Sequence, residues 1–184
     1  QQKFGIIKPG TGLVGLGRLP QEALAVLPDL LVNQNFQGQV MQLGWDYHVT
    51  PVQEGRGLSK RSWQVTLPSG RCFDQVTIAM LGQHQGDNLA LALASFEAWM
   101  NQMKREIDWD QALAALEQVS WQGRLECLSH EPLILVDGAH NSQGLQALDY
   151  FLTHDLADYQ VTVIFAGLKR KDQASPLTYL HKWA

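Results

Sequence analysis

Positive charge is thin in this sequence and it does not cluster. Fourteen Lys and Arg stand against 18 Asp and Glu for a net charge of −4, and the longest basic run is KRK at 169–171. A surface that tracks a nucleic-acid backbone needs grouped cations, so that class of partner has no support here. Long apolar runs are missing too. None reaches the roughly 18–20 residues that cross a bilayer, and no signal-peptide pattern opens the chain. Cysteine is scarce. Cys72 and Cys127 both lie in apolar, strand-like stretches. They read as reduced core residues of a cytoplasmic protein rather than as a disulfide. What remains is an ordinary globular composition, 45% hydrophobic and 17% charged over 184 residues. That length allows one domain or two small ones.

Periodicity divides the chain. Residues 4–7 are extended, and KPGTG at 8–12 reads as a turn. LPQEALAVLPDLLVNQ has helical spacing that Pro28 should interrupt. From 39 to 81 the pattern is strand-like, with WQVTL and CFDQVTI joined by the hairpin signal PSGR. A helix is predicted over 87–104, with Leu89, Leu93, Phe96, Met100 and Met103 on its inner face. Asp108 and Gln111 form a capping-box pattern that opens a short helix to about 118. The segment 119–126, VSWQGRLE, reads as a linker turning into a strand. Then follow a strand at 133–137, a loop, a helix at 143–154 and a strand at 160–166. Strand, helix, strand predicts a βαβ crossover and a parallel sheet. The expected boundary falls near residue 120, with 1–120 as one domain and 121–184 as an incomplete second one. The chain begins on Gln1 and ends on the helix-like PLTYLHKWA, so it reads as a piece of something longer.

Two stretches could bind phosphate. GTGLVG at 10–15 and GLVGLGR at 12–18 have the glycine spacing of nucleotide loops. Arg18 and Leu19 stand where a Walker loop needs Lys and Ser or Thr, and Pro20 denies an immediate helix. This stretch is read as a Gly-rich turn between strands. LILVDGAHNSQG at 133–144 has better context. Asp137 lies at the carboxyl end of a strand, where open α/β sheets take their ligands, and the loop feeds a helix N-terminus that favours anions. Equally, Asp137 and Asn141 could simply cap the turn and the helix, and His140 could be a surface histidine.

Five segments in order carry a family resemblance: QQKFGIIKPG, MLGQHQGDNLALA, WQGRLE, ILVDGAHNSQGLQAL and GLKRKD. Together they resemble the folylpolyglutamate synthase and dihydrofolate synthase family of the Mur ligase superfamily. The resemblance implies an α/β fold: part of a Mur-ligase central domain (1–120), then the start of a Rossmann-like C-terminal domain (121–184). It implies an ATP-dependent, Mg²⁺-dependent ligase of folate biosynthesis and one-carbon metabolism. Such a ligase adds L-glutamate to dihydropteroate or folates through an acyl phosphate, in the cytoplasm, commonly as a monomer.

By the same resemblance, Arg124 reaches the ATP phosphates, Asp137 holds the ribose and Asn88 faces the adenine. His140 sits near the phosphates and the incoming glutamate. Lys3 matches the lysine that, once carbamylated, becomes a magnesium ligand. Lys171 and Asp172 match a D-K-D element whose first Asp is replaced by Arg170. The family's Gly-Lys-Ser/Thr phosphate loop has no counterpart in these residues. The match therefore reads as an internal segment, inactive alone. Two alternatives remain: another Mur-type amide ligase acting on a peptidoglycan precursor, and a non-catalytic nucleotide-binding module.

Overall fold

A computed structural model of the chain describes residues 7–8, 10–53, 55–166 and 174–183. Lys3, Lys171 and Asp172 lie outside the described residues. The chain forms two compact units that interleave in sequence. One comprises 1–52, 63–76 and 86–109, the other 53–62, 77–85 and 110–184.

The first unit holds strand β1 (Leu13–Leu16), helix α1 (Gln21–Asn33) and strand β2 (Gln39–Gln42). The two strands are parallel, with Leu13 opposite Gln39 and Leu16 opposite Gln42. This crossover runs through the stretch read above as a Gly-rich turn. The turn lies just before it, where Thr11 N–H donates to the Lys8 carbonyl at 3.0 Å and Gly10 has φ +85°. Residues 13–16 are a strand because helix α2 (Gln85–Gln102) packs closely on them. A Cβ at Gly15 would meet Leu91 Cδ1 at 2.8 Å and Ser95 Oγ at 3.2 Å. Only glycine admits that approach.

Pro28 does not break α1, which is continuous to Asn33. Proline removes one backbone donor from a helix, and here the burial of Leu27 at 7% exposure anchors the turn around it. Tyr47 is fully buried, and its hydroxyl donates to the Leu16 carbonyl at 2.6 Å. Burial, reinforced by Asp87 and Asp46, pushes its phenol up to about 12.

The predicted hairpin is present. Strands β3 (His48–Pro51), β4 (Arg61–Thr66) and β5 (Cys72–Ile78) form a sheet in that order. The PSGR turn closes with Leu67 N–H to the Arg71 carbonyl at 2.8 Å. Gly70 at φ +83° supplies the left-handed residue. Helix α2 buries Leu89, Ala90, Leu93, Ala94 and Glu97, whereas Trp99 and Met103 are exposed. The inner face is thus rotated away from Met103, because Glu97 is held inside by the Ser69 hydroxyl at 2.6 Å and the Ser69 N–H at 3.3 Å. Cys72 is exposed, not in the core, and both cysteines are free.

The second unit contains the end of α3 (Trp109–Leu116), strands β6 (Glu126–His130) and β7 (Leu133–Val136), and α4 (Ser142–Tyr150). α4 continues into one π-helical turn (Phe151–Asp155), and α5 (Ala174–Trp183) follows. Leu81, Leu125, Phe151 and Leu156 form the core, with Leu133, Leu135 and Leu148 against it. Arg61 makes a buried ion pair with Asp155. α5 is tied to α4 at Asp149, which accepts from Lys182 Nζ at 2.6 Å and Trp183 Nε1 at 2.8 Å. Desolvation raises the Asp149 pKa, but those donors outweigh it and hold the carboxyl below its ordinary range.

Here the structure departs from the expected parallel βαβ unit. β7 pairs antiparallel with β6, and 160–166 forms no strand. Val163, Ile164 and Phe165 of that segment are exposed, Ile164 at 95%. A strand exists only where a neighbour takes its backbone hydrogen bonds, and among the described residues none is supplied.

Candidate functional site at the mouth of strand β7

Two loops of the second unit are joined by their backbones. Gly138 N–H donates to the Gly123 carbonyl at 2.7 Å. Leu125 N–H donates to Asp137 Oδ2 at 2.9 Å, and Ala139 N–H donates to Asp137 Oδ1 at 2.7 Å. One carboxylate therefore closes its own turn and also holds the neighbouring loop. Glu126 adds a further tie, its Oε2 accepting from Gly123 N–H at 2.7 Å. A Cβ at Gly138 would stand 3.2 Å from the Gly123 carbonyl oxygen, so the glycine of DGAHN permits the loops' close approach.

These ties explain an unusual backbone. Leu125 has φ +47°, which costs a non-glycine residue roughly 1–2 kcal/mol. Its side chain is buried at 3% exposure in the leucine and phenylalanine core. Core burial and the Asp137 bond offset the strain. Arg124, with its own chain turned outward, is left exposed at the loop tip.

Past Asp137 the loop prepares the helix. Asn141 is the N-cap of α4, with φ −133° and ψ 165°, and its side-chain oxygen accepts from Gly144 N–H at 2.9 Å. His140 Nδ1–H donates to the Gly138 carbonyl at 2.7 Å. A carbonyl only accepts, so that nitrogen carries a proton, and the exposed ring turns Nε2 away from this bond. The two loops thus offer an exposed guanidinium, an imidazole bonded to its own loop and a helix N-terminus, a combination suited to a phosphorylated ligand. Asp137 uses two of its roughly four lone-pair directions on backbone amides, which leaves it able to accept from hydroxyl groups. Its capping role and a ligand role are compatible.

Arg124, Asp137 and His140 are thus brought together by two hydrogen-bonded loops. Asn88 belongs to the first unit, exposed as the fourth residue of α2. Since α2 begins at Gln85, two residues earlier than expected, Asn88 is not the helix cap. Beside it, Asp87 receives Arg18 Nε at 3.1 Å and Nη2 at 3.3 Å, which raises the arginine's pKa. This pair stands at the carboxyl end of β1 and was not anticipated. Only the distance in sequence, 69 residues, hid it.

The first unit also holds a cleft of about 550 Å³, lined by Gly12, Gln39, Met41, Ser69 and Glu97 among others. It opens at the amino ends of β1 and β2, opposite to where open α/β sheets take nucleotides. The metal expectation rests on Lys3, which lies outside the described residues. Among the described residues no three His, Cys, Asp or Glu group together to hold an ion.

No protein-family model matches the chain. It is 30% identical over 175 residues to a folylpolyglutamate synthase of Lacticaseibacillus casei, an alignment covering 95% of this chain and 39% of that protein. It is 29% identical over 180 residues to a dihydrofolate synthase/folylpolyglutamate synthase of Bacillus subtilis, covering 92% of this chain and 38% of that one. The fold superposes on a Mycobacterium tuberculosis folylpolyglutamate synthase complexed with ADP, with a TM-score of 0.68 and 28% identity. That match covers 84% of this chain and 33% of the other. The chain belongs to the folylpolyglutamate and dihydrofolate synthase family. It spans about two fifths of the length of the curated family members it matches, 38% and 39%. The mixed α/β architecture expected from the resemblance is the architecture of that family.

Proposed function

We propose that these residues serve an ATP-dependent amide ligase that adds L-glutamate to dihydropteroate, to folates, or to both. In this reading the pterin-bearing carboxylate attacks the γ-phosphorus of ATP and ADP leaves. The glutamate amine then attacks the resulting acyl phosphate and inorganic phosphate leaves. Arg124 stabilises charge on the transferring phosphoryl group. Asp137 accepts from the ribose hydroxyls, and Asn88 hydrogen-bonds the adenine. His140 lies near the phosphates and the incoming amine. Magnesium, when bound, would supply charge neutralisation at the phosphates, with carbamylated Lys3 as an oxygen ligand.

One observation carries this reading. The loop of GRLE and the loop of DGAHN, two separate motifs in the sequence, are hydrogen-bonded to one another through Gly138, Gly123, Asp137 and Leu125. The nucleotide complex of the similar M. tuberculosis enzyme supports ATP as the energy source. We place residues 1–120 in the central ATPase domain and 121–184 in the glutamate-ligase domain of a cytoplasmic monomer. Free Cys72 and Cys127 suit a reducing compartment. No helix among the described residues is long and apolar enough to cross a membrane.

The test uses the complete gene product carrying these residues. Incubated with ATP, glutamate and either dihydropteroate or a reduced folate, it should release ADP in step with a product heavier by one glutamyl residue. ADP release without glutamate dependence, or no glutamylated product from either pterin, would sink the assignment. A product from only one pterin selects between the two activities.

A further inference from the structure

Glu126 has so far appeared only as an acceptor in the loop. Its position is odd for so small a task. It opens β6, yet its carboxylate turns back three residues to take the Gly123 N–H at 2.7 Å. That bond fixes the residue before Arg124, while Asp137 Oδ2 fixes the residue after it through Leu125 N–H at 2.9 Å. Arg124 is therefore bracketed by two carboxylates that accept from backbone amides. Both flanking residues have positive φ, +68° at Gly123 and +47° at Leu125. The arginine's own N–H contact is a longer bond of 3.3 Å to the Trp121 carbonyl. Gly123 is also tied through its carbonyl, which accepts from Gly138 N–H at 2.7 Å, so the two carboxylates hold the N–H side of a segment whose first and third residues are left-handed.

We infer that Glu126 is a positioning residue: acting with Asp137 through the amides of residues 123 and 125, it holds the Arg124 guanidinium at the mouth of β7. The carboxylate does not reach substrate. Among the described residues it forms no ion pair with Arg124, and its oxygen is bonded to the Gly123 amide. This rests on the reading of Arg124 as a phosphate ligand. Misplacing a transition-state cation by a fraction of an ångström is costly in a ligase of this type.

The experiment is a double-mutant cycle in the complete gene product, read as kcat/KM for ATP. Glu126→Ala should lower it by about 10–100-fold, the usual cost of losing a group that orients a ligand-binding residue. Glu126→Gln keeps a carbonyl oxygen for the Gly123 N–H and should stay within roughly threefold to fivefold of the parent. In an Arg124→Ala background, Glu126→Ala should add less than about twofold, because the group it positions is gone. If the two losses multiply, or if Glu126→Ala alone has no effect, the proposal is overturned. Arg124→Ala by itself reports on the prior reading: if it leaves the rate intact, the phosphate role of Arg124 fails, and Glu126 has nothing to position. Amide hydrogen exchange on the complete gene product gives a readout independent of activity. Glu126→Ala should speed exchange at Gly123, and unchanged protection there would also overturn the inference.

Discussion

The segments 13–42 and 133–166 pose the same problem to the folding chain and receive different answers. Each has an apolar strand, a helical stretch and a second apolar strand candidate. In the first, the two strands find each other. β1 and β2 pair in parallel over four residues, despite three glycines and an internal Pro28 that argue against regular structure. In the second, the better strand sequence at 160–166 stays unpaired, and β7 takes β6 instead, with a bulge between Cys127 and Ser129. The lesson is that apolar period measures the capacity to be a strand. Pairing, and a helix close enough to cover the pair, decide whether the capacity is used. Gly15 gives β1 its close helix; Val163, Ile164 and Phe165 have no such cover among the described residues.

The comparison can be strained hardest at the second region's buried ion pair. Arg61 and Asp155 are both almost fully enclosed, and Arg61 Nε and Asp155 Oδ2 find no partner among the described residues. Asp155→Ala strands a buried cation and should cost about 3–5 kcal/mol in urea unfolding. Replacing both by apolar residues, Arg61→Met with Asp155→Leu, should be near neutral or stabilising. A double variant as weak as the single one would show that the pair specifies the turn beyond its charge.

In the first region the matching test is Tyr47→Phe, which removes one of two donors to the Leu16 carbonyl, Leu43 N–H at 2.9 Å remaining, and should cost about 0.5–1.5 kcal/mol. The pH dependence has a definite sign. Tyr47 is raised from 10.0 to about 12, so the unfolded chain releases this proton first. Stability conferred by the phenol is complete below pH 10 and declines as pH rises from there toward 12. Comparing unfolding of the parent and Tyr47→Phe at the two ends of that window isolates this proton. Equal slopes would refute the burial argument.

Smaller effects separate the helix starts. Asn141→Ala removes the cap of α4 and should cost about 1 kcal/mol, whereas Asn141→Asp should keep most of it. The smallest expected effect is the sharpest for the comparison. Ile164→Ser should change stability by less than about 0.5 kcal/mol, as for any exposed site. A loss of about 2 kcal/mol or more would mean that 160–166 buries its face after all.

Much of the site was legible in the sequence. Asp137 at a strand end, His140 after it and Asn141 at the helix start are local arrangements, set by turn chemistry within five residues. The fold was legible where signals are local too: the PSGR hairpin, the start of α3 after Asp108, and the long α2. The misreadings share one cause. The strand within 10–18, the missing strand at 160–166 and the rotated face of α2 all depend on a neighbour distant in sequence. So do the Arg18–Asp87 pair and the bracket around Arg124.

By itself the sequence determined the family, the α/β class and the identity of the polar groups at the β7 mouth, because motif chemistry and capping act over a few residues. Only the tertiary structure decided which strands pair, that Pro28 is tolerated, and that Asp137 and Glu126 spend their oxygens on the backbone around Arg124. Those outcomes turn on which buried amides and carbonyls find partners, and an unpaired one costs more than any local propensity can return.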